Sequence, residues 1–506
     1  MGKYREQFRR AEERQRRLEQ RIEERCRQTG HARPTTRREF LNQGLIAGTA
    51  TVFLPSLATI LAREARAQEV FECIIDDNAD VIGAGKIPFL GIDQGGGANI
   101  AGSNIMVGGP AGQEDFLSAA GYARLGLPQA IIPQNVGVDR TFGLAMHPNS
   151  ALLRGMLDKT SDTTRANTNG VVIPARSEND TGNNPHNPIY GIARAGANGE
   201  FVATIGSDNS ESGGNSDAPE SMIDPTFRPT RVRNADEAVG LGGGGGGFPD
   251  DRVAGTTAAI TALKLGQINE AQLTEDLAQC GFDKATATFN TSVLPADLDP
   301  NQDTILQEIF PAGQLDEGDY AKAAAAMKIV INGYGGAGTI EYGGRDYHQD
   351  PRPETDGKDF VVGQVIGASL EYAARLNKPL MIYGFSDGAV SADTDRPEDD
   401  GNGVTKFRWR SDNSQTAASF ILAFSPNGRP TLRDPAAEQL GFFNPDGNIE
   451  TSSSPFANSV VQLAELAVLN YLGLHGQEDQ FGVVLNNPVL GTGAAVAPFI
   501  AFNPIV

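Results

Sequence analysis

The sequence predicts an α/β protein, with a largely parallel sheet flanked by helices on both faces. Three observations carry that expectation. Apolar runs of strand length alternate with amphipathic or Ala-rich stretches of helical length. No internal repeat interrupts the alternation, which argues against a solenoid or propeller. The chain is long enough, at 506 residues, to bury a sizeable core. Strands separated by helices pair in parallel and need cover on both sides.

The elements follow in order. Residues 87–92 read as a buried strand running into Asp93-Gln94-Gly95-Gly96-Gly97. A helix is expected over 114–125. A second opens after His147-Pro148-Asn149-Ser150, with Leu152, Leu153 and Met156 on one face. Residues 170–175 and 201–205 read as strands. The stretch 207–250 is polar and Gly-rich, with six consecutive glycines at 242–247, and reads as a flexible loop. It lacks the G-K-[ST] ending of a phosphate-binding loop. Helix is expected from 256 to about 278 and over the Ala-rich 320–327. A strand is expected over 328–334, a helix over 360–376, strands over 379–385 and 419–424, and a last helix over 456–472.

Charge divides the chain near Gln68. Residues 1–67 hold 15 Lys+Arg and 8 Asp+Glu, net +7, against −21 for the whole, which leaves the remainder at −28. Arg37 and Arg38 precede an uncharged, moderately apolar stretch at 44–62, and Ala65-Arg66-Ala67 stands before Gln68. Basic region, apolar region and small-residue site occur in the order of a twin-arginine signal peptide cleaved between Ala67 and Gln68. The expectations are passage through the twin-arginine translocase, a periplasmic or secreted location, and no stable membrane insertion after cleavage. An uncleaved anchor is the alternative, since the stretch approaches spanning length. Gly44, Gly48 and Pro55 weaken it. Residues 1–35 form a charged extension, read as a solvated helix without a core face. Residues 36–67 are then the signal and 68–506 a single domain.

So acidic a domain does not seek nucleic acid or an anionic membrane. Its charge suits solubility or cation binding. Cys26 departs with the leader, leaving Cys73 and Cys280 as a disulfide or as two separate thiols.

Ligands of α/β sheets gather beyond the carboxyl ends of strands. There the sequence places Asp93 and Asn99 around three glycines, Ser386-Asp387-Gly388, Asp346-Tyr347-His348, and Ser411-Asp412-Asn413-Ser414. Asp, His and Asn at strand ends suit a hard or borderline cation. Asp393-Thr394-Asp395 with 398–402 lacks EF-hand spacing and reads first as a solvated acidic loop. Four histidines follow Gln68. His147 reads as a cap or packing residue, His186 as a loop residue or ligand, and His348 as the foremost ligand candidate. His475 carries no reading of its own.

Several of these motifs, in this order and behind this leader, resemble the DUF1501 family. They are the Gly-rich turn to Asn99, His147-Pro148, Arg176-Ser177, Gly344-x-Asp346-x-His348, Ser386-Asp387-Gly388 and Asp412-Asn413. The resemblance spans most of 85–425. It implies an alkaline-phosphatase-like core, a divalent metal (Zn, Mg or Ca) held by separated Asp and His side chains, and hydrolysis of a phosphate or sulfate ester. By that resemblance Asp93, Asp346, His348, Asp387 and Asp412 are ligands, and Ser103 or Ser386 is the nucleophile. The chain departs from the pattern. The family's D-H-G reads Asp412-Asn413-Ser414, so an amide replaces an imidazole, which weakens zinc binding. The alternative is a catalytically degenerate exported protein of the same fold, with a structural, binding or secretion-associated role.

Overall fold

The apolar run behind Lys86 becomes the middle strand of the main sheet. The computed structural model describes residues 86–506 except 178–184, 198, 200, 209–211, 214–217, 242–294 and 312. The expected leader (Arg37, Arg38, Ala67, Gln68), Cys73, Cys280, the glycine run and the helix at 256–278 lie outside the described residues.

Eleven strands are described: β1 (Phe89–Asp93), β2 (Gly96–Gly97), β3 (Thr168–Pro174), β4 (Val202–Gly206), β5 (Thr230–Arg231), β6 (Gly335–Glu341), β7 (Arg345–Asp346), β8 (Leu380–Phe385), β9 (Val390–Asp399), β10 (Thr405–Asp412) and β11 (Ala418–Phe424). Seven of them form one sheet in the order β3-β11-β8-β1-β6-β4-β5, and β9/β10 and β2/β7 form two ribbons. β8, β1, β6, β4 and β5 pair in parallel, while β11 runs antiparallel to both β8 and β3. The protein is therefore α/β with a mixed, mostly parallel sheet. Every residue of β1, β8 and β11 is buried, which explains their unbroken apolar sequences.

Helices cover both faces. Leu90, Ile92, Ile340, Ile382 and Phe420 pack with α1 (Ala151–Lys159), α3 (Gly318–Ile331) and α4 (Arg352–Arg375). The alternate residues Phe89, Ala337, Met381, Tyr383 and Ile421 pack with α2 (Ile189–Arg194) and α5 (Val460–Leu474). α1 meets α4 backbone to backbone. A Cβ added at Gly363 would lie 2.1 Å from Leu152 O, and one at Gly367 would lie 2.6 Å from Met156 O. No helix among the described residues is long and apolar enough to cross a membrane.

Some expectations require correction. Residues 328–331 are the end of α3, and the strand follows at Gly335–Glu341. The apolar β-branched run Ile329-Val330-Ile331 suits a buried helix as well as a strand, and here the alanines before it set the helix. The strand itself is poor in strand formers because α3 presses on it: a Cβ at Gly338 would meet Val330 at 2.8 Å. The helix expected from 114 spans only Ala119–Arg124, and that expected from 360 begins at Arg352. The one expected from 456 is a 3-10 turn, Pro455–Asn458, followed by α5 behind its Ser459 cap. Within the expected Gly-rich loop, the described residues include β5 and a helix, Ala235–Leu241. The acidic stretch 393–402 is the tip of the β9/β10 hairpin.

Candidate metal centre

At the carboxyl end of β1 the chain leaves the sheet through a turn that three neighbours hold. Gln94 N donates to Phe385 O, Gly95 N donates to Tyr342 O, and Gly96 N donates to Asp387 Oδ1 at 2.5 Å. Ser386 Oγ adds a fourth tie, donating to Gln94 O at 2.7 Å and accepting from Ala98 N. The turn then pairs β2 with β7, setting Gly97 against Asp346. Gly96 is indispensable here. Its φ is +134°, and a Cβ would fall 2.3 Å from Asp346 N.

Burial alternates along the arm that follows. Arg345 and Tyr347 are buried, while Asp346 and His348 are half-buried. Tyr347 enters a small apolar cluster with Ala98, Val390 and Trp409. That cluster floors the site. On it stand Asp346, His348 and, from the end of β10, Asp412. Asn413 N donates to Ala389 O, fixing the end of that strand.

One ligand-type atom from each of these three side chains lies within 4.8 Å of the other two. His348 Nδ1 is 3.4 Å from Asp412 Oδ1 and also contacts Asp346 Oδ1. Two ligands about 2.1 Å from a tetrahedral ion stand about 3.4 Å apart, so the His348–Asp412 spacing is that of a coordinated pair. Side-chain exposures of 38, 41 and 33 % for Asp346, His348 and Asp412 leave room for further ligands from solvent. Two carboxylates and one imidazole form a borderline donor set that suits Zn²⁺, Mn²⁺ or Mg²⁺ better than a soft metal.

The other expected site residues stand differently. Asp93 is completely buried between Glu341 and Phe385 in register and lies outside the three-residue group. Asp387, also completely buried, holds Gly96. Ser386 is a staple between backbone segments. Ser103 is fully buried, bonded by Asn99 Nδ2 and by Arg352 Nη2 at 3.4 Å.

Of the other described histidines, His147 and His186 are interior and His475 is half-buried. His147 Nε2 donates to Ile131 O at 2.7 Å while Nδ1 accepts from Asn149 N. His475 Nδ1 donates to Tyr471 O while Nε2 accepts from Ile87 N. His186 stacks parallel on Phe385, and neither ring nitrogen has a hydrogen-bond partner. Burial pushes all three down to about 4. Among the described histidines, only His348 belongs to the three-residue ligand group.

No family model, no curated protein and no solved structure matches this chain.

Behind the floor lies a second charged cluster that the sequence reading missed. Arg352 Nη2 is 2.8 Å from Asp356 Oδ1, and Lys406 Nζ reaches Asp356 at 2.5 Å and Asp400 at 3.1 Å. Lys406 also donates to Asn149 O. Arg352 stacks on Trp409 at 4.3 Å, and Trp409 Nε1 donates to Thr355 Oγ1. Asp359 accepts from Tyr347 at 2.7 Å and from Asn104 at 2.6 Å. Burial, followed by the charge of Asp356, pushes Asp359 up to about 6. The signal was present: Arg352, Asp356 and Asp359 recur at helical spacing on α4 among buried apolar residues.

Proposed function

We propose that the protein binds a divalent cation through Asp346, His348 and Asp412, on an alkaline-phosphatase-like core delivered across the cytoplasmic membrane by the twin-arginine translocase. The observation that carries this reading is the meeting of three ligand-type side chains, Asp346 and His348 from one arm and Asp412 from a distant hairpin strand, at one half-exposed point beyond the carboxyl ends of a mostly parallel sheet. The order of motifs resembling DUF1501 and the Arg37-Arg38 leader support the rest.

A cation held there would polarise the oxygen of a bound phosphate or sulfate ester. This chain's part would be to supply the three ligands and the Gly96 turn that aligns them. A second reading, a cation-binding protein without hydrolase activity, is favoured by a specific observation. Ser103 and Ser386 are buried and engaged in structural hydrogen bonds, so neither hydroxyl is presented beside the cluster. Asn413 in place of the family's histidine points the same way.

The test is metal analysis and calorimetric titration of the full chain with Zn²⁺, Mn²⁺, Mg²⁺ and Ca²⁺, alongside aryl phosphates and aryl sulfates. Stoichiometric binding lost in His348→Ala supports the cation reading, and absence of binding by the native chain removes it. Turnover that follows occupancy selects the hydrolase, whereas binding without turnover selects the second reading. Export is tested by fractionation: Arg37→Lys with Arg38→Lys should strand the protein in the cytoplasm.

A further inference from the structure

The residue between the two neighbouring ligands is the one that is completely buried. In an extended segment, successive side chains leave on opposite sides. If Tyr347 enters the protein, Asp346 and His348 must leave it together. Where Tyr347 sits therefore decides where both ligands point.

Its ring lies against Ala98, Val390 and Trp409, an apolar seat that fixes depth but does not fix rotation or travel along the arm. The hydroxyl supplies that. It donates to Asp359 Oδ1 at 2.7 Å. Asp359 Oδ2 accepts from Asn104 Nδ2 at 2.6 Å. Asn104 in turn accepts Ser150 Oγ at 2.8 Å and donates to Asn99 O at 2.8 Å. Ser150 caps α1, whose backbone is locked against α4. The hydrogen bond thus references the ligand arm to a pair of helices that meet backbone to backbone.

We propose that Tyr347 is a positioning residue of the cation site, its hydroxyl bond to Asp359 holding Asp346 and His348 in the ligating arrangement. This inference rests on the cation reading above. Groups behind a metal's own ligands typically alter affinity 10–100-fold when removed.

The experiment measures Zn²⁺ and Mn²⁺ affinity of the full chain by calorimetry for the native protein, Tyr347→Phe, Asp359→Asn and the double variant. Near-UV circular dichroism and urea unfolding accompany each titration. Phe keeps the ring in its seat, so the fold should persist. Tyr347→Phe should weaken binding about 10-fold. Asp359→Asn leaves one oxygen to serve two donors and should weaken it similarly. The double variant should be no worse than the weaker single variant, because both remove the same bond. A purely structural tyrosine would lower the urea midpoint and leave ion affinity unchanged, so that result overturns the proposal while the cation reading stands. Failure of the native protein to bind either ion overturns both.

Discussion

Two charged clusters lie on either side of Tyr347, built from the same kinds of residue. Asp346, His348 and Asp412 are each about one-third to two-fifths exposed. Arg352, Lys406, Asp356, Asp359 and Asp400 are buried, none more than 2 % exposed. The buried cluster contains cations that pair with its acids, Asn104 and Tyr347 donate to Asp359, and Asn149 O accepts from Lys406. The open cluster holds two acids and one imidazole that contact one another. Charges removed from water must bring their partners with them. Charges left part-exposed stay within reach of ions from solution. The difference separates a scaffold from a site, and it was invisible in a sequence that gives Asp356 and Asp412 the same letter.

The comparison predicts its largest effect on the buried side. Lys406→Met leaves the buried Asp400 without its cation and Asp356 with Arg352 alone. Removing one member of a buried pair typically costs about 3–5 kcal/mol. Urea unfolding should register that loss in full, with little change in the slope. An unchanged midpoint would mean that water reaches this cluster and that its burial does not govern its energetics.

A smaller effect separates two buried titratable groups of opposite sign. His186 is pushed down to about 4 from 6.5, so as pH falls below 6.5 the unfolded chain takes up a proton that the folded chain refuses. Stability is lost through that window, by about 2 kcal/mol at pH 5 for a shift of this size. Asp359 is pushed up to about 6 from 3.8, so the folded chain takes up its proton first and gains stability over the same fall in pH. His186→Phe should therefore flatten the acid loss, and Asp359→Asn should steepen it. Denaturant melts at pH 7 and pH 5 read both slopes, and equal slopes in the two variants would contradict the assignment.

Much of this architecture was legible. The runs at 87–92, 379–385 and 419–424 became buried strands because a sheet covered on both faces demands unbroken apolar sequence. The end of α3 was not legible. Four β-branched or apolar residues after an alanine run satisfy either structure, and the deciding contact is the packing of Val330 over Gly338, 8 residues downstream. The hairpin of β9 and β10 was hidden by acids such as Asp395 and Asp399, which are exposed, while the buried Asp400 takes its ion-pair partner from Lys406 on the next strand. In the site, Asp346, His348 and Asp412 were selected by residue type and strand-end position, and they do meet. Asp93, Asp387, Ser103 and Ser386 were selected by the same rule, yet they are buried in the turn and its supports. Position at a strand end predicts proximity to a crevice, but it does not say which side of the backbone opens to water.

The smallest expected stability change belongs to Asp412→Asn, and it sharpens the comparison most. The substitution preserves shape and removes a charge that is one-third exposed, so solvent already screens it. Unfolding free energy without added metal should change by no more than about 0.5 kcal/mol, in the range of ordinary surface replacements. Relief of the repulsion between Asp412 and Asp346 makes a slight gain as acceptable as a slight loss. With saturating Zn²⁺ or Mn²⁺ the outcome should differ. An ion that binds only the folded chain stabilises the native protein by about 2.7 kcal/mol at one hundred times its dissociation constant, and the variant should forfeit most of that gain. The same exchange at Asp356 should be costly with or without metal, because its partners are Arg352 and Lys406 and no ion takes their place. A metal-dependent difference at Asp412 beside a metal-independent one at Asp356 would separate the two clusters by thermodynamics alone. A metal-independent loss at both would make Asp412 part of the scaffold and leave Asp346 and His348 too few to hold an ion.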